Sequence, residues 1–404
     1  TCMKLKTLPI FLAFLCMGFG DAVNTFVGVA KSHFSLSAFE ASFIASAGFI
    51  MFGLLSVPMG IFQDRKGRKT TLLMGLGVAL VGILAVMFLG LDRYWVFLLS
   101  ILLLGAGATI LQVSGNPIMR DVSDEGRYSS NLSMGQFVKA IGSFTAPVVF
   151  YAAAKMGYTE SQSWSVLFPI FAAAIAITIV SVAMLNISER ASEARTASVG
   201  SCIMLLANPF VAMMVLGIFV YVGAEVCIGS GMPVYFSQQF AIPEAEATKY
   251  VMYFFITIMA GRFLGAVMLT KIAPKKFLAL TSALAIFGFG VLALGSSAVS
   301  SELGLDFLRD WREAITTASL IILALGYANI FPLIFSIAID RMPSKSNELS
   351  GLMVSAICGG AFLFPVMTKI GDAAGDLFYG FSVPLAAMVY ILAVALVVNP
   401  KGAK

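Results

Sequence analysis

The sequence predicts an all-α membrane protein, with twelve transmembrane helices in two six-helix halves. Three observations predict it. Of 404 residues, 59% are hydrophobic and only 12% charged, a balance outside the range of soluble domains. Apolar runs of the roughly 20 residues needed to cross a bilayer recur along the whole chain. The 26 Lys and Arg collect in alternate connecting segments rather than scattering, as positive-inside topology requires. A formal net charge of +5 would suit nucleic acid, but this placement assigns the bases to topology. No nucleic-acid partner is expected; the lipid bilayer is.

The spans read in order as about 8–30, 38–62, 70–91, 94–118, 131–154, 163–186, 208–236, 247–270, 276–297, 314–339, 349–370 and 379–399. The opening TCMKLKTLPIF is basic and then apolar, without a small-residue cleavage site, so it reads as a first span rather than a removed leader. An even span count with an inside start puts both termini in the cytoplasm of a multi-pass inner (plasma) membrane protein. On that topology seventeen Lys and Arg lie inside and seven outside, while Lys139 and Arg262 lie within spans. Trp95, Trp164 and Trp311 fall at outer span ends, where an interfacial aromatic belt sits. The polar stretch 187–200, ISERASEARTASVG, divides the chain into 1–186 and 201–404, six spans each. The longest outer loop, about 298–313, is mildly amphipathic and placed to cap an entrance. Five cysteines, none in an outer loop, imply no disulfide framework. A lone His33 and no Cys/His cluster give no metal site, and no nucleophile–base pairing suggests an enzyme. No cofactor is expected.

The most informative connection is Gly60–Lys69, GIFQDRKGRK, between the second and third spans. One acid, Asp64, and four bases, Arg65, Lys66, Arg68 and Lys69, form a tight hairpin, with Gly60 and Gly67 permitting close approach and a sharp turn. Asp64 is placed to pair with a nearby base and to accept helix N-terminal amides. The pattern G-x-x-x-D-R-x-G-R-K is similar to the loop 2–3 signature of the major facilitator superfamily. That resemblance implies a gate latch rather than a substrate site. The second half carries a faded echo, GRFLGAVMLTKIAPKK from Gly261 to Lys276. Two similar halves with a midplane site between them is the architecture of rocker-type transporters.

Ionisable side chains inside a span are expensive and so mark function by default. Asp21 sits in GFGDAVNTF of span one, with Asn24 one turn on. Lys139 sits in MGQFVKAIGSF of span five and shares a face with Gln136. An ammonium there needs a counter-charge, and Asp21 is its natural partner. Gln112, Ser114 and Asn116 decorate span four in LQVSGNPI, where Pro117 breaks the helix. Glu225 lies in span seven, a helix loosened by glycines and Pro233, and reads as a substrate ligand or proton carrier. Arg262, in span eight, is placed to pair with carboxylates or helix-end carbonyls near an inner gate. Asn329, one turn before Pro332 in span ten, faces the cavity. Gly359, Gly360 and Pro365 read as close-packing and hinge positions.

At these residues the chain resembles the fucose–galactose–glucose:proton symporters. The matching segments are LQVSGNPI, GQFVKAIGSFTAPV, YVGAEVCIGS, GRFLGAVMLTKIAPKK, IFPLIFSIAI and SGLMVSAICGGAFLFPVM, spread over both halves. The resemblance implies cation-coupled symport of a monosaccharide by a monomer. Asn24, Gln112, Gln136, Lys139, Glu225 and Asn329 then bind the sugar, and Asp21 and Glu225 carry the coupled proton. Gly60, Asp64, Arg65, Gly67, Arg68 and Arg262 form the gating set. Three departures stand out: the family pattern has an acid where Asn24 aligns, a glutamate at Gln112 and an asparagine at Lys139. They leave open sodium coupling, a different sugar, or an acidic sugar recognised by Lys139; an organic-anion or uronate symporter using Lys139 as carboxylate anchor and a multidrug:proton antiporter are the rival readings.

Overall fold

A computed structural model describes residues 7–22, 34–35, 38–90, 93–158, 160–186, 198–242 and 244–398. The described residues form helices and turns, with no strand among them. In order these are α1 (Leu8–Gly18), α2 (Ala38–Lys66), α3 (Arg68–Leu89), α4 (Tyr94–Val122), α5 (Tyr128–Lys155) and α6 (Glu160–Ala183). There follow α7 (Val199–Leu205), α8 (Pro209–Phe240), α9 (Glu244–Met268), α10 (Pro274–Gly295) and α11 (Ser297–Glu302). The chain closes with α12 (Arg312–Tyr327), α13 (Ile330–Arg341), α14 (Ser346–Ser355), α15 (Gly360–Ala374), α16 (Leu377–Gly380) and α17 (Ser382–Val397). Among the described residues, nine helical stretches are long and apolar enough to cross a membrane. Helices α1, α2 and α5 occupy the other three of the expected positions. Helices dominate because a bilayer offers no partner to unpaired backbone groups.

Local chemistry sets the helix ends. Gly67 separates α2 from α3 with φ of 92°, a left-handed conformation that favours glycine. Asn208 caps α8 by accepting from the Phe210 amide at 3.0 Å, and Pro209 follows at the first helical position. Ser198 and Ser201 cap α7 reciprocally. Two expected spans are broken. Span ten divides at Ala328–Asn329 into α12 and α13, and span eleven passes from α14 through a 3-10 turn, Ala356–Gly359, into α15. The loop between the ninth and tenth expected spans contains α11 and a 3-10 turn at Asp306–Trp311.

The chain forms two compact units. One comprises Thr1–Ala207 together with Met342–Ser355; the other comprises Asn208–Arg341 and Ala356–Lys404. In the first, α3 packs on α4 where a Cβ on Gly107 would stand 2.8 Å from the Ala79 nitrogen. In the second, α10 packs on α12 where a Cβ on Gly326 would stand 2.7 Å from the Ala285 nitrogen. The third and fourth spans of each half therefore meet backbone to backbone through a glycine, as small-residue membrane packing allows. Gly359 packs in the same way on the Phe219 carbonyl.

Candidate functional site

In the first unit the polar loop is buried rather than solvated. Asp64 and Arg68 are 6% and 3% exposed. The Asn347 side chain lies between them: its Nδ2 donates to Asp64 Oδ1 at 3.1 Å, and its Oδ1 accepts from Arg68 Nε at 2.8 Å. The two other guanidinium nitrogens donate to the Ser346 hydroxyl and to the buried carboxylate of Asp121. Gln63 Nε2 donates to the Asn347 carbonyl at 3.3 Å. Lys69 Nζ donates to the carbonyls of Ala183 and Leu185 at 2.8 Å each, closing the end of α6. Arg65 lies on the exposed side of the loop.

Two glycines allow α14 to come this close to α2. A Cβ on Gly60 would stand 2.8 Å from the Asn347 carbonyl oxygen and 3.1 Å from Gly351 Cα. Ser350 then donates to the Val113 carbonyl on α4 at 2.6 Å. Cys202 of α7 is buried near this cluster. Its burial, with Glu348 and Asp64 adding to the effect, pushes the thiol up to about 11, so it stays neutral. The partners Asn347, Ser346 and Asp121 were not singled out in the sequence, where they read as ordinary span-end polar residues.

The first unit also holds the expected amides of spans four and five. Gln112, on α4, is 3% exposed and its Oε1 has no hydrogen-bond donor. Asn116, one turn on, is fully buried, and neither end of its side-chain amide is satisfied. Its backbone carbonyl accepts from the Tyr128 hydroxyl at 2.9 Å. Gln136 is buried on α5 and Lys139 half-buried. The 3-10 turn Phe19–Ala22, which contains Asp21, packs against α5. The approach is close because Gly18 lies on the Lys139 carbonyl and Gly142 on the Leu15 carbonyl. The side chain of Asp21 and the whole of Asn24 lie outside the described residues.

In the second unit three expected residues converge. Arg262 Nη2 stands 3.7 Å from Glu225 Oε1, with the side chains 14% and 19% exposed. Arg262 Nε donates to the Ala328 carbonyl at 3.3 Å. The Asn329 amide donates to the Gly261 carbonyl at 2.8 Å, leaving its Oδ1 buried without a donor. Gly261 and Gly265 open the groove, because a Cβ on Gly261 would stand 2.6 Å from Ala328 Cβ and one on Gly265 would fall on the Asn329 side chain. Two tyrosines that the sequence did not flag as a pair complete the cluster. Tyr221 and Tyr327 are 1% and 0% exposed, with ring centroids 6.0 Å apart. The Tyr221 hydroxyl faces both Glu225 and Arg262, and the Tyr327 hydroxyl makes no hydrogen bond. Spacing alone would have placed Tyr221 one turn before Glu225 on a shared face.

Such a set combines a carboxylate, a guanidinium, two phenols and amide oxygens with unused hydrogen-bonding capacity. It suits a neutral polar ligand rich in hydroxyls.

The chain is similar along its length to named transporters. It is 27% identical over 406 residues to the putative glucose/galactose transporter of Helicobacter pylori, spanning 95% of this chain and 94% of that one. It is 28% identical over 397 residues to the glucose/galactose transporter of Brucella abortus, spanning 94% and 90%. Its fold matches the crystal structure of the Escherichia coli fucose:proton symporter with a TM-score of 0.79 at 18% identity, covering 97% and 98% of the two chains. Residues 10–365 match the Major Facilitator Superfamily, and the chain belongs to that family as a multi-pass membrane protein.

Proposed function

We propose that the protein is a secondary active transporter of a neutral monosaccharide of the glucose or galactose type, driven by cation symport and working by alternating access. The proposed membrane is the inner (plasma) membrane, with both termini cytoplasmic. The observation that carries the reading is the unmet hydrogen-bonding capacity buried in membrane spans. Gln112 Oε1 and both ends of the Asn116 amide in the first unit, and Asn329 Oδ1 and the Tyr327 hydroxyl in the second, all lack partners. Each buried polar atom without a partner costs about 1–3 kcal/mol. A polyol supplies donors and acceptors to atoms of this kind. Proteins similar to this chain carry glucose, galactose and fucose in their names.

In this reading Gln112, Gln136, Lys139, Glu225, Asn329 and Asn24 bind the sugar. Asp21 takes up and releases the coupled proton, with Lys139 as counter-charge, and Glu225 is the second proton site. The packing of the Asp21 turn on α5 supports the pairing at the level of the backbone. A second reading, a uronate or other organic anion, is favoured by one observation: the half-buried ammonium of Lys139 inside α5. Competition binding separates the two. D-glucose, D-galactose and D-glucuronate are titrated at several pH values, with and without sodium. Displacement by the neutral sugars supports the first reading, and displacement by glucuronate alone overturns it. A requirement for sodium would replace the proton as coupling ion.

The coupling assignment has its own test in proteoliposomes. Asp21→Asn is expected to abolish uphill accumulation while preserving sugar binding and counterflow exchange, because the amide mimics the protonated acid. If Asp21 only braces Lys139, the single change instead destabilises the protein by about 3–5 kcal/mol, the cost of an unpaired buried charge. The double change with Lys139→Gln then restores both stability and uphill transport, which would rule out Asp21 as the carrier.

A further inference from the structure

Pro332 has no backbone N–H, so the helical partner that the Ala328 carbonyl would meet four residues on is missing. A carbonyl left open within a membrane span must find another donor. The donor is Arg262 Nε, at 3.3 Å. The neighbouring Nη2 of the same guanidinium stands 3.7 Å from Glu225 Oε1. Asn329, the next residue after Ala328, donates to the carbonyl of Gly261, the residue before Arg262. The break in the tenth span is thus tied twice to one turn of α9. The glycines at 261 and 265 make the approach possible, since a side chain at either would displace Ala328 or Asn329. The titratable side chains facing this carboxylate are Tyr221 on its own helix, Arg262 on α9 and Tyr327 on α12.

We infer that Arg262 is a positioning residue of the transport cycle, linking the charge state of Glu225 to the break at Ala328–Asn329. While Glu225 is anionic, the guanidinium is shared between a carboxylate and a backbone carbonyl. When a proton or a sugar hydroxyl neutralises Glu225, the attraction on that side falls and the guanidinium is committed to the carbonyl. The hinge between α12 and α13 then changes its restraint at the Ala328 carbonyl without the ligand touching Ala328. Hinge residues of this kind alter the rate of a conformational step more than the affinity of a site. The role assigned to Glu225 rests on the sugar-transport reading. The tie to the Ala328 carbonyl does not.

The experiment uses the full chain and the variants Arg262→Lys, Arg262→Gln, Pro332→Ala, Arg262→Gln with Pro332→Ala, and Glu225→Gln. Melting temperature is read in detergent, and D-glucose and D-galactose binding and counterflow in proteoliposomes. Arg262→Gln is expected to melt several degrees lower. Adding Pro332→Ala, which returns an N–H to the helix, is expected to recover most of that loss. Exchange in Arg262→Lys is expected to fall about tenfold with the dissociation constant within about threefold, because a single ammonium reaches one partner and not both. A double variant melting no higher than Arg262→Gln alone would overturn the tie to Ala328. Wild-type exchange in Arg262→Lys would overturn the link to Glu225. The melting arms need no sugar, so they stand if the transport reading fails. Glu225→Gln with unchanged sugar affinity and unchanged uphill uptake would remove Glu225 from the site and the link with it, leaving the melting result intact.

Discussion

The connection after span two and its echo after span eight begin alike and are wired differently. Each opens on a glycine that lets another helix come into close contact: Gly60 meets Asn347 and Gly351, and Gly261 meets Ala328. Each then uses an arginine buried at the junction. Arg68 is 3% exposed and satisfied by three side chains, Asn347, Ser346 and Asp121. Arg262 faces one carbonyl at 3.3 Å and one carboxylate at the looser distance of 3.7 Å. Of the remaining bases of the echo, Lys271 and Lys276 are exposed and Lys275 is half-buried. The first connection is built as a lock, with Asp64 and Arg68 buried against Asn347 while Arg65 and Lys66 stay exposed. The second has become part of the polar interior, where its arginine faces a carboxylate and a backbone carbonyl. A repeat can therefore keep its packing glycine while its charged residue takes another task.

The comparison breaks first on stability. Arg68→Ala strands the Asp121 carboxylate in a dry site, and a loss of about 3–5 kcal/mol is expected, partly recovered by adding Asp121→Asn. Arg262→Ala leaves a carboxylate that is 19% exposed, and a smaller loss, about 1–2 kcal/mol, is expected. Chemical or thermal unfolding in detergent measures both, and equal losses would erase the distinction between lock and site.

Ligand binding sharpens it next. Glu225→Ala is expected to weaken binding of D-glucose or D-galactose by about 1–3 kcal/mol, the usual result of removing a buried polar partner. An unchanged dissociation constant would make Glu225 a structural residue.

The smallest effect is expected at the lock itself. Asp64→Asn keeps a group able to accept from the Asn347 amide but removes a charge from the cluster. Sugar affinity should stay within about threefold while transport slows, because the change shifts populations of states rather than contacts with the ligand. Equal transport rates in variant and wild type would show that the lock is not part of the cycle.

How far the sequence carried these assignments differs by region. The spans were legible because membrane helices need long apolar runs and place their bases at the ends. The glycine, acid and arginine of Gly60–Lys69 were legible because their order is compact. Their partners were not, because RMPSKSNELS looks like any polar span end, and Asn347 gains meaning only from a fold that brings it to a loop 283 positions earlier. Arg262 was expected near carboxylates or helix-end carbonyls, and the structure sets it beside one of each. Asn329 was read as facing a cavity; its amide is instead committed to Gly261, with only Oδ1 unengaged. Asn116 drew less attention in the sequence than Gln112, yet both ends of its amide lack partners. No periodicity distinguishes an amide that is glue from one that awaits a ligand.

The placement of α14 has a consequence for how the protein is made. The first unit is finished only by Met342–Ser355, and Arg68 waits for Ser346, 278 positions further along the chain. At about 5–20 residues per second, a ribosome needs roughly 15–60 s to cover that interval. Throughout it, Gln63, Asp64 and Arg68 stand without Ser346 and Asn347, although Asp121 is already in place beside Arg68. The opening half is thus inserted early but sealed late. Nascent chains arrested before residue 342 should be cut by trypsin after Arg68, and chains arrested well beyond residue 355 should resist there.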